Sequence, residues 1–93
     1  MLKHKYKIVL ELDVSNDISN LERLALKFRQ DILNVAFNIN IGNDIKRFYI
    51  DVCTDHRKTT LVANMLVKMS KRDYIRFLLG IYQKYQNDSL NIC

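Results

Sequence analysis

Between Tyr6 and Val14 apolar side chains take every second place. Tyr6, Ile8, Leu10, Leu12 and Val14 share one parity, and Lys5, Lys7, Glu11 and Asp13 share the other. A period of two marks a strand with one dry face, and only Val9 interrupts it. Ser15 to Asn20 is polar loop chemistry, within which Ser19 and Glu22 read as a capping box at a helix start. Leu21, Leu24, Ala25, Phe28 and Ile32 then recur at helical spacing, opposite Arg23, Lys27 and Gln30. That pattern predicts a first helix to about Leu33.

The stretch from Asn34 to Thr54 returns to alternation. Val35, Phe37, Ile39 and Ile41 predict a second strand, Gly42-Asn43-Asp44 a short loop tolerant of positive φ, and Phe48, Ile50 and Val52 a third strand. Thr54 and Asp55 suit the N-cap of a second helix whose stripe is Leu61, Val62, Met65, Leu66 and Met69. Ser70 and Asp73 repeat the capping grammar and predict a third helix carrying Tyr74, Ile75, Phe77, Leu78, Leu79, Ile81, Tyr82 and Tyr85. This arc is wider than one core-facing stripe requires. Gly80 in its middle costs about 1 kcal/mol against Ala unless it admits a close helix approach. From Asn87 the chain is polar and expected to fray.

The predicted order is β-α-β-β-α-α in a single domain spanning residues 1–93. A crossover through the first helix sets strands one and two parallel, with strand three between them and antiparallel to both. The expected fold is α+β: a three-stranded sheet with helices packed on one face. It is similar to a ferredoxin-like split βαβ unit lacking its last strand. The β-α-β-β-α part of the order also resembles ACT-type regulatory domains, which implies ligand sensing as a further alternative. Those domains continue into a fourth strand and typically carry a Gly in the loop after strand one, which residues 14–17 lack. No ligand residues are assigned from this resemblance.

Composition narrows the class. With 48% hydrophobic and 27% charged residues, no Pro and two Gly, the 93-residue chain is globular. A core of this size leaves a thin stability margin, so self-association is expected and the chain is read as a homodimer. No apolar leader follows Met1, and no apolar run approaches the roughly 20 residues of a membrane span. Cys53 and Cys93 form no disulfide framework. The expected location is the cytoplasm, or a host-cell interior for a viral chain.

The net charge of +5 is unevenly spread. Between His56 and Gln86 seven Lys and Arg face Asp73 alone. Arg57, Lys58, Lys68, Lys71, Arg72 and Arg76 are therefore the candidate nucleic-acid or acidic-partner site, a basic helical face whose phosphate contacts would be salt-sensitive. No helix-turn-helix pattern accompanies them, so sequence-specific readout is not expected. The surplus apolar residues Phe77, Ile81, Tyr82 and Tyr85 are the candidate oligomer or partner interface. They support a second reading, a protein-binding inhibitor or adaptor of the kind viruses and mobile elements encode. On the sheet's second face Tyr49 stands alone among Lys5, Lys7, Glu11, Asn38, Asn40, Arg47 and Asp51, short of the two or three aromatics of an RNA platform. Cys53-Thr54-Asp55-His56 gathers a thiol, a carboxylate and an imidazole, but Asp55 reads as a cap and Cys53 as a small strand residue. The chain is expected to be non-enzymatic, with no cofactor, no metal, no small-molecule substrate and no membrane partner.

Overall fold

The computed structural model describes residues 2–93. Six main elements follow one another: β1 (His4–Asp13), α1 (Leu21–Asn38), β2 (Ile45–Asp55), β3 (Lys58–Met69), α2 (Lys71–Lys84) and β4 (Leu90–Ile92). Two 3₁₀ turns, Ser15–Asn20 and Gly42–Asp44, lie in the connections. The four strands form one open sheet in the order β2-β3-β1-β4, and every neighbouring pair is antiparallel. The fold is thus α+β with a four-stranded sheet and two helices.

The β-α-β-β-α-β order is that of a split βαβ, and the three-stranded version expected from sequence is matched only in part. A strand does lie between the first two, antiparallel to both. The segments that build the sheet, however, are shifted along the chain.

The first shift is at α1, which does not stop near Leu33 but runs to Asn38. Val35 and Ile39 are spaced two alternations apart, which is also i,i+4, so one spacing serves a strand or a helix. Phe28, Ile32, Val35 and Ala36 are buried along a single helical stripe. The helix then ends in a Schellman motif: Ile41 N–H donates to the Ala36 carbonyl at 2.9 Å and Asn40 N–H to that of Phe37 at 3.1 Å. Asn40 takes the left-handed conformation, φ 60°, that this ending needs. At the other end, Asn20 rather than Ser19 occupies the N-cap, and no side-chain cap bond forms.

The predicted third strand is β2, and the predicted second helix is β3. Leu61, Ala63, Met65, Val67 and Met69 all point into the core, no more than 2% exposed, while Val62, Asn64 and Leu66 line the open face. A central strand paired on both edges is apolar on both faces, and the pairs Leu61-Val62 and Met65-Leu66 then imitate a helical stripe. The hairpin joining β2 to β3 turns at His56-Arg57, with Asp55 opposite Lys58. His56 supplies a positive φ of 53° where Gly or Asn is usual.

The last helix starts where its cap predicts: Ser70 Oγ accepts from Asp73 N–H at 3.2 Å. Beyond it the polar tail is not frayed. Leu90–Ile92 pairs with Leu12–Leu10 of β1, and Cys93 N–H reaches the Val9 carbonyl at 2.9 Å. Both helices and the inward parity of β1 and β3 share one core around Phe28, Ile32, Phe77 and Ile81. α2 lies over β1, where Tyr74 stacks on Tyr6 at 3.9 Å between ring centroids. α1 lies nearer β2, its Arg29 guanidinium over the Phe48 ring at 5.1 Å.

Candidate functional site

The topology gathers charge at one end of an elongated molecule, 44 × 20 × 18 Å. β1, β2 and α2 begin at this pole and β3 ends there. From β1 and its approach come Lys3, Lys5 and Lys7, from β2 Lys46 and Arg47, from β3 Lys68, and from α2 Lys71, Arg72 and Arg76. Lys5 stands directly opposite Lys68, and Leu66 of β3 separates Lys7 from Arg47. Among the described residues two of these cations are offset by a carboxylate on the same pole: Lys3 pairs with Asp44 at 3.0 Å, and Arg76 with Asp73 at 3.5 Å. Lys71 and Arg72, exposed in the first turn of α2, have no such offset among the described residues.

The opposite pole is acidic. Glu11 and Asp13 end β1, Asp51 and Asp55 end β2, and Asp17 and Asp88 lie in the adjoining segments. Asp13 accepts the Ser15 hydroxyl at 2.6 Å and its backbone N–H at 2.9 Å, bonds that hold its carboxyl below the usual range. Arg57 and Lys58 sit at this far pole, on the tip of the β2–β3 hairpin. Ten residues of strand, about 33 Å, separate Lys58 from Lys68. The six cations expected to act together are therefore divided. Lys68, Lys71, Arg72 and Arg76 belong to the basic pole, with Lys68 on the open sheet face and the others on α2, whereas Arg57 and Lys58 do not.

On the open face beside the pole lies a hollow of ≈ 280 Å³ walled by Lys7, Arg47, Tyr49, Asn64 and Leu66. Tyr49 is 54% exposed there, and Asn64 lies across from it on β3. Two cations flanking an open aromatic ring can hold a phosphate and offer a stacking surface to a planar group. Lys5, Lys7, Lys46 and Arg47 are absent from the charge run between residues 56 and 86. No linear signal joins them to Lys68 and Lys71, since only the strand register makes them neighbours.

Known proteins do not settle the matter. Comparison with protein-family models, with curated proteins and with solved structures returns no match.

The proposed interface on the last helix is also rearranged. Phe77 and Ile81 are fully enclosed in the core, and Tyr85 is nearly so. The arc is wide because it covers two surfaces at once: the core takes Phe77 and Ile81, and solvent takes Ile75, Leu79 and Tyr82. Tyr85 donates its hydroxyl to Asp31 of α1. Asp31 also receives the Lys27 ammonium at 2.9 Å and lies 3.6 Å from that of Lys84. Burial pushes the Asp31 carboxyl up, but the hydrogen bonds from Tyr85 and Lys27 and the two ammonium charges outweigh it and leave the group below its ordinary range. Burial and the same carboxylate push the Tyr85 phenol well above its usual value. This cluster fastens the end of α2 to α1.

Cys53 is exposed on the open sheet face, while the neighbouring His56 occupies the hairpin turn and pairs with Asp55 at 3.5 Å. Cys93 donates its thiol to Glu11 at 3.0 Å, which pushes the thiol above its usual value and disfavours the thiolate. Among the described residues no group of three or more His, Cys, Asp and Glu side chains is arranged to hold a metal ion, and no helix is long and apolar enough to cross a membrane.

Proposed function

We propose that this chain is a small, non-enzymatic binding protein that holds nucleic acid on its basic pole. The observation that carries this reading is the segregation of charge along the long axis. Nine Lys and Arg against Asp44 and Asp73 leave a surplus of seven at one end, more than the +5 of the whole chain. A polyanion releases its counterions most favourably to such a surface, and the steering this gives is independent of base sequence. Tyr49, two residues along β2 from Arg47 and lining the same hollow as Lys7, adds a ring on which an unpaired base can stack, which favours single strands.

Fluorescence anisotropy with labelled single-stranded and duplex oligonucleotides at about 50 mM salt tests the reading. Lys71→Glu with Arg72→Glu is expected to abolish binding. Arg57→Glu with Lys58→Glu removes the same charge from the other pole and is expected to leave most of it. Equal loss from both pairs, or no binding by the unaltered chain at low salt, would sink the proposal.

A second reading, an inhibitor or adaptor that binds protein, is favoured by the exposed Ile75, Leu79 and Tyr82. Self-association in a homodimer would draw on the same stripe and is read by light scattering. In either case Tyr82→Ala matters more than the charge changes.

A further inference from the structure

β1 is paired along all ten of its residues with β3, but on its other edge β4 covers only Leu10–Leu12. The Cys93 N–H to Val9 carbonyl bond extends that cover by one position. In an antiparallel ladder alternate residues present both backbone groups to the same neighbour. Since Val9 faces β4, Lys7 and Lys5 direct their N–H and carbonyl groups the same way, to a line along which no strand lies among the described residues. The sheet is therefore one half-strand short, beside the first half of β1.

The helix above this gap is also incomplete on that flank. Gly80 of α2 meets Val35, and Lys84 meets Asp31, so one flank of α2 is taken by α1. At 100° per residue Ile75, Leu78 and Tyr82 lie roughly 180° round from that flank. Because Tyr74 stacks on Tyr6, this far flank overhangs the uncovered edge of β1. Ile75 and Tyr82 are 46% and 55% exposed there. An apolar helix flank above an unpaired strand edge has the two components of a β-augmentation site: main-chain bonds below and side-chain contacts above.

Charge states which strand fits. On the open face the gap is bordered by Lys5 and Lys7, with Lys68 opposite Lys5. A second copy of β1 pairing antiparallel about Tyr6 would set Lys5 against Lys7, a like-charge pair across strands. We infer that the uncovered edge of β1 and the outer flank of α2 together accept an extended segment of a partner protein in which acidic side chains alternate with apolar ones. Its carboxylates meet Lys5 and Lys7, and its apolar residues pack beneath Ile75, Leu78 and Tyr82. This inference goes beyond the nucleic-acid reading and stands without it.

The probe is a synthetic octapeptide of alternating Glu and Val, titrated into the full chain and followed by amide NMR and hydrogen exchange. Binding is expected to slow exchange at the Lys5 and Lys7 amides. The same peptide N-methylated at the amides that face β1 is expected to bind about tenfold more weakly or worse, as the missing backbone bonds require. A scrambled peptide of equal charge is expected to do the same. Lys7→Pro removes the outward donor while keeping the β3 ladder, so it should lose more affinity than Lys7→Ala, and Tyr82→Ala should weaken binding as well. Equal affinity for the methylated or scrambled peptide, unchanged exchange at Lys5 and Lys7, or no binding at all would each overturn the inference. Because the methylated peptide is read on the unaltered protein, a variant that fails to fold does not obscure the result.

Discussion

Tyr85 closes the last helix by bonding to a carboxylate on the first, and the cost of breaking that link is set by what remains behind. Tyr85→Phe leaves the ring packed against Phe28 but removes a donor from the buried Asp31. A hydrogen bond to a charged group contributes about 1.5–3 kcal/mol, so a loss within that range is expected in urea unfolding. The sign of the pH effect follows from the Asp31 carboxyl lying below its ordinary value of 3.8. The unfolded chain protonates this group at a higher pH than the folded chain does. Its contribution is therefore complete above the ordinary value and is lost as pH falls through the lower, folded one. Asp31→Asn should lack that contribution, so the gap between it and the unaltered protein should narrow as pH is lowered below about 4. At His56 the backbone carries positive φ in a hairpin turn, a conformation costly for a residue with a Cβ. His56→Gly is expected to raise stability by about 0.5–1 kcal/mol, measured the same way.

Among the elements, α2 is the best tested by substitution. Ser70→Ala removes the accepting cap and should cost about 1 kcal/mol. Gly80→Ala gains helix propensity, yet a methyl group there would lie 2.6 Å from Val35 Cγ1. Val has little rotamer freedom in a helix, so the net effect should be destabilising by about 1–3 kcal/mol. Val35→Ala in the same chain should recover part of this, and a double-mutant cycle measures how much. What the sequence made legible follows the same physics. β1 alternates cleanly because one face is dry and the other wet, and α2 announces its start through Ser70. The junction of α1 and β2 was opaque because Val35, Phe37, Ile39 and Ile41 satisfy a period of two while Val35 and Ile39 also satisfy one of four. β3 was opaque because a central strand is apolar on both faces, and Leu, Met and Ala are good helix formers overridden by pairing. The hairpin tip lacked the Gly or Asn that signals a turn. Leu90–Ile92 is too short to carry a pattern. Of the site, Lys71, Arg72 and Arg76 were readable as neighbours on one helix, whereas Lys5, Lys7 and Arg47 join them only through the register of three strands.

For the molecule as a whole, two poles of opposite sign make orientation the testable quantity. If Tyr49 stacks on an unpaired base, Tyr49→Ala should weaken single-strand binding by about 1–3 kcal/mol and leave duplex binding nearly unchanged. Neutralising one phosphate-binding cation of the basic pole should reduce the duplex salt slope by about 0.9. The position of β1 between β3 and β4 carries a further consequence, one of timing. The first strand of the chain cannot be zipped until residues 60–69 arrive, 47 to 65 positions after their partners, and it gains its outer neighbour later still. Long-range pairing of this kind closes large loops before any reward, which places refolding in the millisecond-to-second range rather than in microseconds. With no proline in the sequence, stopped-flow refolding should show no isomerisation-limited minor phase. Until that closure β1 is an unpaired strand with one bare apolar face, and crowded, slow refolding should lose material to aggregation that begins at the amino-terminal end.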